Sequence, residues 1–252
     1  MKRMDPIIVD GIDSLVAEIV PQTDRLISSP PAKAIWLLFK RNAGSWDSLC
    51  ALVGTCQSQD HLELRNHDCG AIVRCMFDAY VQAAFIGADD SSARGQQFLE
   101  FEWIEAHVLP QKFLKQKSKM ADKIRNSPLR PEGEKLNTEQ FERLKQNYPP
   151  PPHMKKKEVR THWYKGSIPE LATQLGLGNV CDWLYFRFHG SVHSSPLALI
   201  RGAAYDARIL ETVASYLVAN HARILCQTAG ITLSAPAQEL VDANNVDITN
   251  YE

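Results

Sequence analysis

His61–Ile86, HLELRNHDCGAIVRCMFDAYVQAAFI, is the stretch that decides the fold. Within it Leu62, Leu64, Ile72, Val73, Met76, Phe77, Tyr80, Val81, Ala84 and Phe85 recur at three- and four-residue spacing, the period of a helix and not the alternation of a strand. The apolar positions run nearly all round such a helix, so it is expected at the centre of a core. Arg74 and Asp78, four residues apart, fall on one face of it and can pair there. A charged pair inside so apolar a helix either sets its register or lines a polar pocket.

Helical periodicity continues on both sides. Residues 12–20 and 24–41 carry it upstream, with Pro30 and Pro31 at the head of the second segment, and a further segment surrounds Trp46 to Cys56. Downstream, Asp89-Asp90-Ser91-Ser92 caps a charged amphipathic helix from Ala93 to about Arg125. Residues 126–160 contain SPLRPEG and the tetraproline Pro149–Pro152, and read as a flexible basic loop with one short helix near Thr138–Gln146. Ser167, with Glu170 three residues on, opens the next helix, and Gly176 or Gly178 closes it. Another spans about Val180–Val192, Ser194-Ser195-Pro196 restarts a long one to about Ala229, and residues 234–252 read as a loose polar tail. With no sustained two-residue alternation, the expectation is an all-α protein. It is read as one helical domain over residues 1–233, a bundle of five to seven helices with a basic, proline-rich excursion.

At 252 residues, 44% hydrophobic and 23% charged, the composition is globular and excludes a wholly disordered chain. Charged residues interrupt every apolar run short of a membrane span, and the basic start has no apolar segment of signal-peptide length. The expected location is therefore the cytoplasm, with no membrane partner. Six cysteines without a C-x-x-C pair imply neither a disulfide framework nor a zinc ribbon, and Cys69 near His67 is not by itself a nucleophile and base. The net charge of −1 conceals an asymmetry: residues 111–160 carry 14 Lys and Arg against 6 Asp and Glu. Such a block suits phosphate backbones, although aromatic residues for base stacking are few there, only Phe113, Phe141 and Tyr148.

The remaining chemistry concentrates in Tyr185–Pro196, YFRFHGSVHSSP. His189 and His193 stand four apart as helical zinc ligands do, but no carboxylate accompanies them at ligand spacing, and no metal or cofactor is expected. Arg187 and His193 match the loose R-x4-6-H spacing of HEPN ribonucleases, a pattern that chance alone supplies about 1.3 times in a chain of this composition.

The order of features from Arg74 onward carries more. Arg74-x3-Asp78, Arg94 with Phe98 and Phe101, Trp163, Gly166-Ser167-Ile168, Leu171-Ala172, Leu175-Gly176, Tyr185, and Ser191-x-His193 before Pro196 resemble a bacterial and archaeal family of helical proteins carrying a domain of unknown function. The resemblance covers about residues 60–210, with Asp78 where that family more often has Glu. It implies a helical fold and a polar centre made of Arg74, Asp78, Arg94, Ser191 and His193.

Two functions follow as expectations. The first is a HEPN-like, metal-independent ribonuclease of a defence or toxin system, working best as a homodimer. His193 would move the proton of a ribose hydroxyl, Arg187 would hold the phosphate and Ser191 would orient either group. Arg74, Asp78, Arg94, Lys155, Lys156 and Lys157 would bind the RNA. The second is a non-catalytic helical module for a nucleotide, nucleic acid or protein partner.

Overall fold

In a computed structural model, which describes residues 4–54, 59–115, 117–126, 130–152, 157–193 and 207–245, the secondary structure is helical throughout. Side chains at 59–67, 112–114, 124–125, 130–133, 186–193 and 207 fall outside that description. No strand occurs among the described residues, so the all-α expectation holds. The helices are α1 (Pro6–Ile19), α2 (Thr23–Leu26), α3 (Pro30–Gly54), α4 (Gln59–Gly87), α5 (Ser91–Leu114), α6 (Lys119–Arg125), α7 (Arg130–Leu144), α8 (Ile168–Gln174), α9 (Gly178–His193), α10 (Ala207–Ala229) and α11 (Ala235–Ala243).

The chain divides into two compact units, Met1–Gly95 with Gly166–Glu252, and Gln96–Lys165, where the sequence suggested one domain. In the first, α4 packs against α3, α8, α9 and α10, while α10 also meets α1, α2, α3 and α11. Val73, Met76, Phe77, Val81 and Ile86 of α4 are sealed, as are Leu217, Val218 and Leu225 of α10. This explains why apolar residues surround α4. Its Asp68–Gly87 portion is long and apolar enough by composition to cross a membrane, because the Arg74–Asp78 pair interrupts it only briefly; 61% of that window is buried in the protein. Trp46, expected in a separate segment, belongs to the single long helix α3 and donates from Nε1 to Asp13 Oδ1 at 3.0 Å.

Ser167 opens α8 with the expected reciprocal cap: its Oγ accepts from the Glu170 N–H, and Glu170 accepts from the Ser167 N–H. Gly95 is a close-approach position, since a Cβ there would sit 2.5 Å from both Cα and N of Pro31. These are backbone atoms and cannot rotate away, so Gly95→Ala is expected to cost about 1–3 kcal/mol through forced separation of α5 from α3. Its denaturation midpoint should drop accordingly; an unchanged midpoint would refute the close packing.

Three expectations fail. Residues 234–245 are not a loose tail but contain α11, which buries Ala237 and Val241. Ser234 at its head donates from backbone N and from Oγ to the Glu18 carboxylate, at 2.5 and 2.7 Å. Nor is 126–160 a loop with one short helix. In the second unit α7 runs for 15 residues, and Phe141, Leu144, Tyr148, Val159 and Arg160 are buried. Tyr148 is the anchor: its hydroxyl donates to the Gln97 carbonyl at 2.9 Å, its own carbonyl accepts from the Arg160 N–H at 3.0 Å, and its ring meets Phe101 edge-on at 5.2 Å. The charged helix from residue 93 is also interrupted, with α5 ending at Leu114 and Ser118 capping α6 through the Ala121 N–H.

Candidate functional site

On α4, Arg74 is buried with 8% of its surface exposed and is bonded through Nη1 to Asp78 Oδ1, whose side chain keeps 32% of its surface in solvent. The guanidinium carbon lies 3.6 Å from the centroid of Tyr185 on α9, a close cation–π contact. Tyr185 therefore joins α9 to the charged face of α4. Cys181, one turn earlier on α9, is no nucleophile: burial pushes its thiol up to about 11, with Arg74 opposing and Asp182 adding to the shift.

Arg94 does not join this pair. Its Nη1 donates to the Phe85 carbonyl at 2.7 Å and its guanidinium covers the Phe85 ring at 3.9 Å. Phe85 lies eleven residues beyond Arg74, about 16 Å along the helix at ~1.5 Å per residue. A cation at the last carbonyls of α4 is well placed against the negative end of the helix, so Arg94 closes α4 and is not part of a polar centre with Arg74.

Arg187, Ser191 and His193 all lie on α9, which runs unbroken through Gly190 to His193. At about 100° per residue, positions 187 and 191 share a face, whereas 187 and 193 are about 120° apart around the axis. The side chains of all three lie outside the described residues, as do Lys155, Lys156 and the expected helix start at Ser194-Ser195-Pro196. Lys157 is exposed. Among the described residues no group of three or more His, Cys, Asp or Glu is arranged to hold a metal ion.

A buried polar pair escaped the sequence reading. Asn42 of α3 donates from Nδ2 to the Met76 carbonyl at 3.1 Å and lies 3.0 Å from Nδ1 of His221 on α10. Since the same amide nitrogen serves the carbonyl, His221 Nδ1 is assigned as the acceptor and Nε2 as the protonated nitrogen. The ring packs edge-on against Phe39 at 5.5 Å, and Nε2 finds no acceptor in bonding geometry, although the Ile35 carbonyl slightly favours the charged form. Burial dominates and lowers the His221 pKa to about 3, so the imidazole is neutral. A polar residue in each of two apolar helices was the visible signal; their pairing across 179 residues was not.

The first unit also contains a cavity of about 540 Å³ bordered by Tyr80, Ser91, Arg223, Gln227 and Thr228, and it holds none of the expected site residues. The second unit, residues 96–165, carries 15 Lys and Arg against 9 Asp and Glu. Lys135 pairs with Glu139, and Lys145 with Glu142 and Glu158. Lys115, Lys117, Lys119, Lys123, Arg143 and Lys157 are exposed and make no ion pair among the described residues. Phe141 and Tyr148 are buried, which removes them as platforms for nucleic-acid bases.

The sequence model of a family of unknown function (DUF5677) matches residues 38–203, 166 of the 252 residues. The match begins well before residue 60, within α3, and so takes in Asn42 and Trp46. No curated protein and no solved structure matches the chain.

Proposed function

The chain belongs to DUF5677, a family of unknown function, and from that premise we propose that it is a helical module that binds RNA through the phosphate backbone. The observation that carries this reading is the packed unit Gln96–Lys165 with its excess of exposed, unpaired lysines and arginine. Its carboxylates are too few to neutralise them, and the resulting field attracts polyanions without choosing a sequence. Burial of Phe141 and Tyr148 fits the same mode, because backbone contacts need no stacking surface.

The HEPN-like ribonuclease reading requires more. Arg187 and His193 must meet one phosphate, and both side chains lie outside the described residues. Binding rests instead on described, exposed cations and is the reading supported best.

The test is a labelled single-stranded RNA titrated with the wild-type protein, Lys117→Glu/Lys119→Glu/Lys123→Glu and His193→Ala, with the RNA recovered intact or not. Charge reversal should weaken binding at least tenfold, and the RNA should stay whole. Absence of binding, or binding indifferent to the three reversals, contradicts the proposal. Cleavage that disappears in His193→Ala replaces it with the ribonuclease.

A further inference from the structure

Within residues 96–165 lies a cavity of about 510 Å³, inside the range of roughly 300 to 1,000 Å³ typical of small-ligand sites. Its wall has two chemistries. Phe101, Ile104, Val108 and Phe141 are apolar, and His107 extends that surface by lying flat on Phe141, with ring centroids 4.1 Å apart and planes 14° from parallel. The other part of the wall is charged: Arg160, Lys115 and Lys157 are cationic, Glu105 and Glu158 are acidic, and Glu158 is paired with Lys145.

Arg160 is the unusual member. Only 7% of its surface is exposed, yet it forms no ion pair with a carboxylate among the described residues. Nη2 donates to the Trp163 carbonyl and the guanidinium rests 4.8 Å from the Tyr148 centroid, while the buried Nε has no acceptor. Glu158, two residues earlier, is taken up by Lys145 at 3.1 Å. Burial lowers the Arg160 pKa, but a guanidinium remains charged at any physiological pH. A buried charge without a counter-charge is costly, and an anion entering the cavity would offset that cost.

A bare inorganic anion would leave most of this volume and all of the apolar wall unused. A ligand with a phosphate at one end and a flat, partly apolar body at the other matches both parts of the wall. Planar recognition of phosphate is what an arginine fork does best, and bases stack readily on flat aromatic surfaces. Glu105, which also lines the cavity, is an acceptor for ribose hydroxyls or an exocyclic amine.

We propose that this cavity is a site for a nucleoside monophosphate, either free or as the 5′-phosphorylated terminal residue of an RNA strand, with its phosphate held by Arg160, Lys115 and Lys157 and its base on the half-buried His107 ring, which Phe141 backs from the core. The proposal rests on the RNA-binding reading above and adds to it a discrete pocket for one nucleotide.

Calorimetric titration of the full chain with adenosine monophosphate, adenosine and inorganic phosphate tests it, alongside one RNA sequence carrying a 5′-phosphate or a 5′-hydroxyl. The monophosphate should bind at least tenfold more tightly than either fragment. Arg160→Gln should erase its advantage over adenosine while leaving 5′-hydroxyl RNA affinity within about threefold. Should Arg160→Gln fail to fold, Lys157→Ala, at an exposed position, should still cut the monophosphate affinity several-fold. A preference for the 5′-phosphorylated RNA identifies the strand end as a source, and monophosphate binding without that preference identifies the free nucleotide. Monophosphate binding no tighter than that of adenosine, or a preference that persists in the variants, overturns the site. In that case RNA binding that remains preserves the broader reading, whereas loss of all RNA binding with retained monophosphate binding removes the broader reading and leaves the pocket.

Discussion

Asp78→Ala is expected to destabilise the protein by about 2–3 kcal/mol, one of the largest effects of any single polar substitution in the chain. Arg74 sits almost fully buried on α4, bonded to the Asp78 carboxylate and stacked on Tyr185. Removing one member of a buried pair deprives the other of that counter-charge, a loss of about 3–5 kcal/mol when both are sealed. Asp78 keeps about a third of its side chain in water, so solvent screening lowers that figure. The companion Arg74→Met/Asp78→Leu removes both charges and should recover most of the loss, because apolar residues of similar volume commonly replace a buried pair at little cost. Urea melts with unchanged slopes would read both effects as shifts in midpoint. If Asp78→Ala melts like the wild type, the pair is not structural. If the double variant is worse than Asp78→Ala, its charge is needed for something other than stability.

Acid should unfold the protein partly through one histidine. His221 is held neutral in the folded state, with a pKa lowered to about 3, whereas in the unfolded chain an imidazole titrates near 6.5. Above about pH 7 both states are unprotonated there and the residue adds no slope. Between about pH 6.5 and 3 the unfolded chain takes up a proton that the folded one refuses, so stability falls as pH falls, by up to about 1.4 kcal/mol per pH unit from this group. His221→Gln removes the titration. The variant should be less stable than wild type at pH 7, through loss of the Phe39 and Asn42 contacts, and the gap should narrow steadily toward pH 4. Parallel stability curves across that range would show that the buried ring does not titrate as described.

The residues that made these features legible, and those that hid them, differ in a simple way. Local signals read correctly: the all-round apolar pattern of α4, Arg74 and Asp78 at four-residue spacing, and the Ser167–Glu170 cap all act within one or two helical turns. Proline misled where it opens a helix instead of breaking one. Pro131 stands second in α7, where the missing N–H would have been unpaired anyway, yet its segment read as loop; α11, with Pro236 at the same position, was hidden instead by the polarity of its residues. Contacts between distant residues left no trace in spacing. Arg94 was expected beside Arg74 because the family resemblance groups the two in one polar centre, but it packs against Phe85. Arg160 looked like one more surface cation in a basic block, and only packing against Tyr148 and Trp163 makes it a buried one.

The central claim, that the basic unit binds RNA through phosphates, is tested most directly by the salt dependence of affinity for a single-stranded RNA of fixed length. Each phosphate contact contributes about −0.7 to the slope of log K against log salt concentration, so contacts from several of the exposed cations predict a slope of about −2 to −4. The same slope should appear for two unrelated RNA sequences, and it should shrink by about two units in Lys117→Glu/Lys119→Glu/Lys123→Glu. A slope near zero, or one that the charge reversals leave unchanged, would contradict the account.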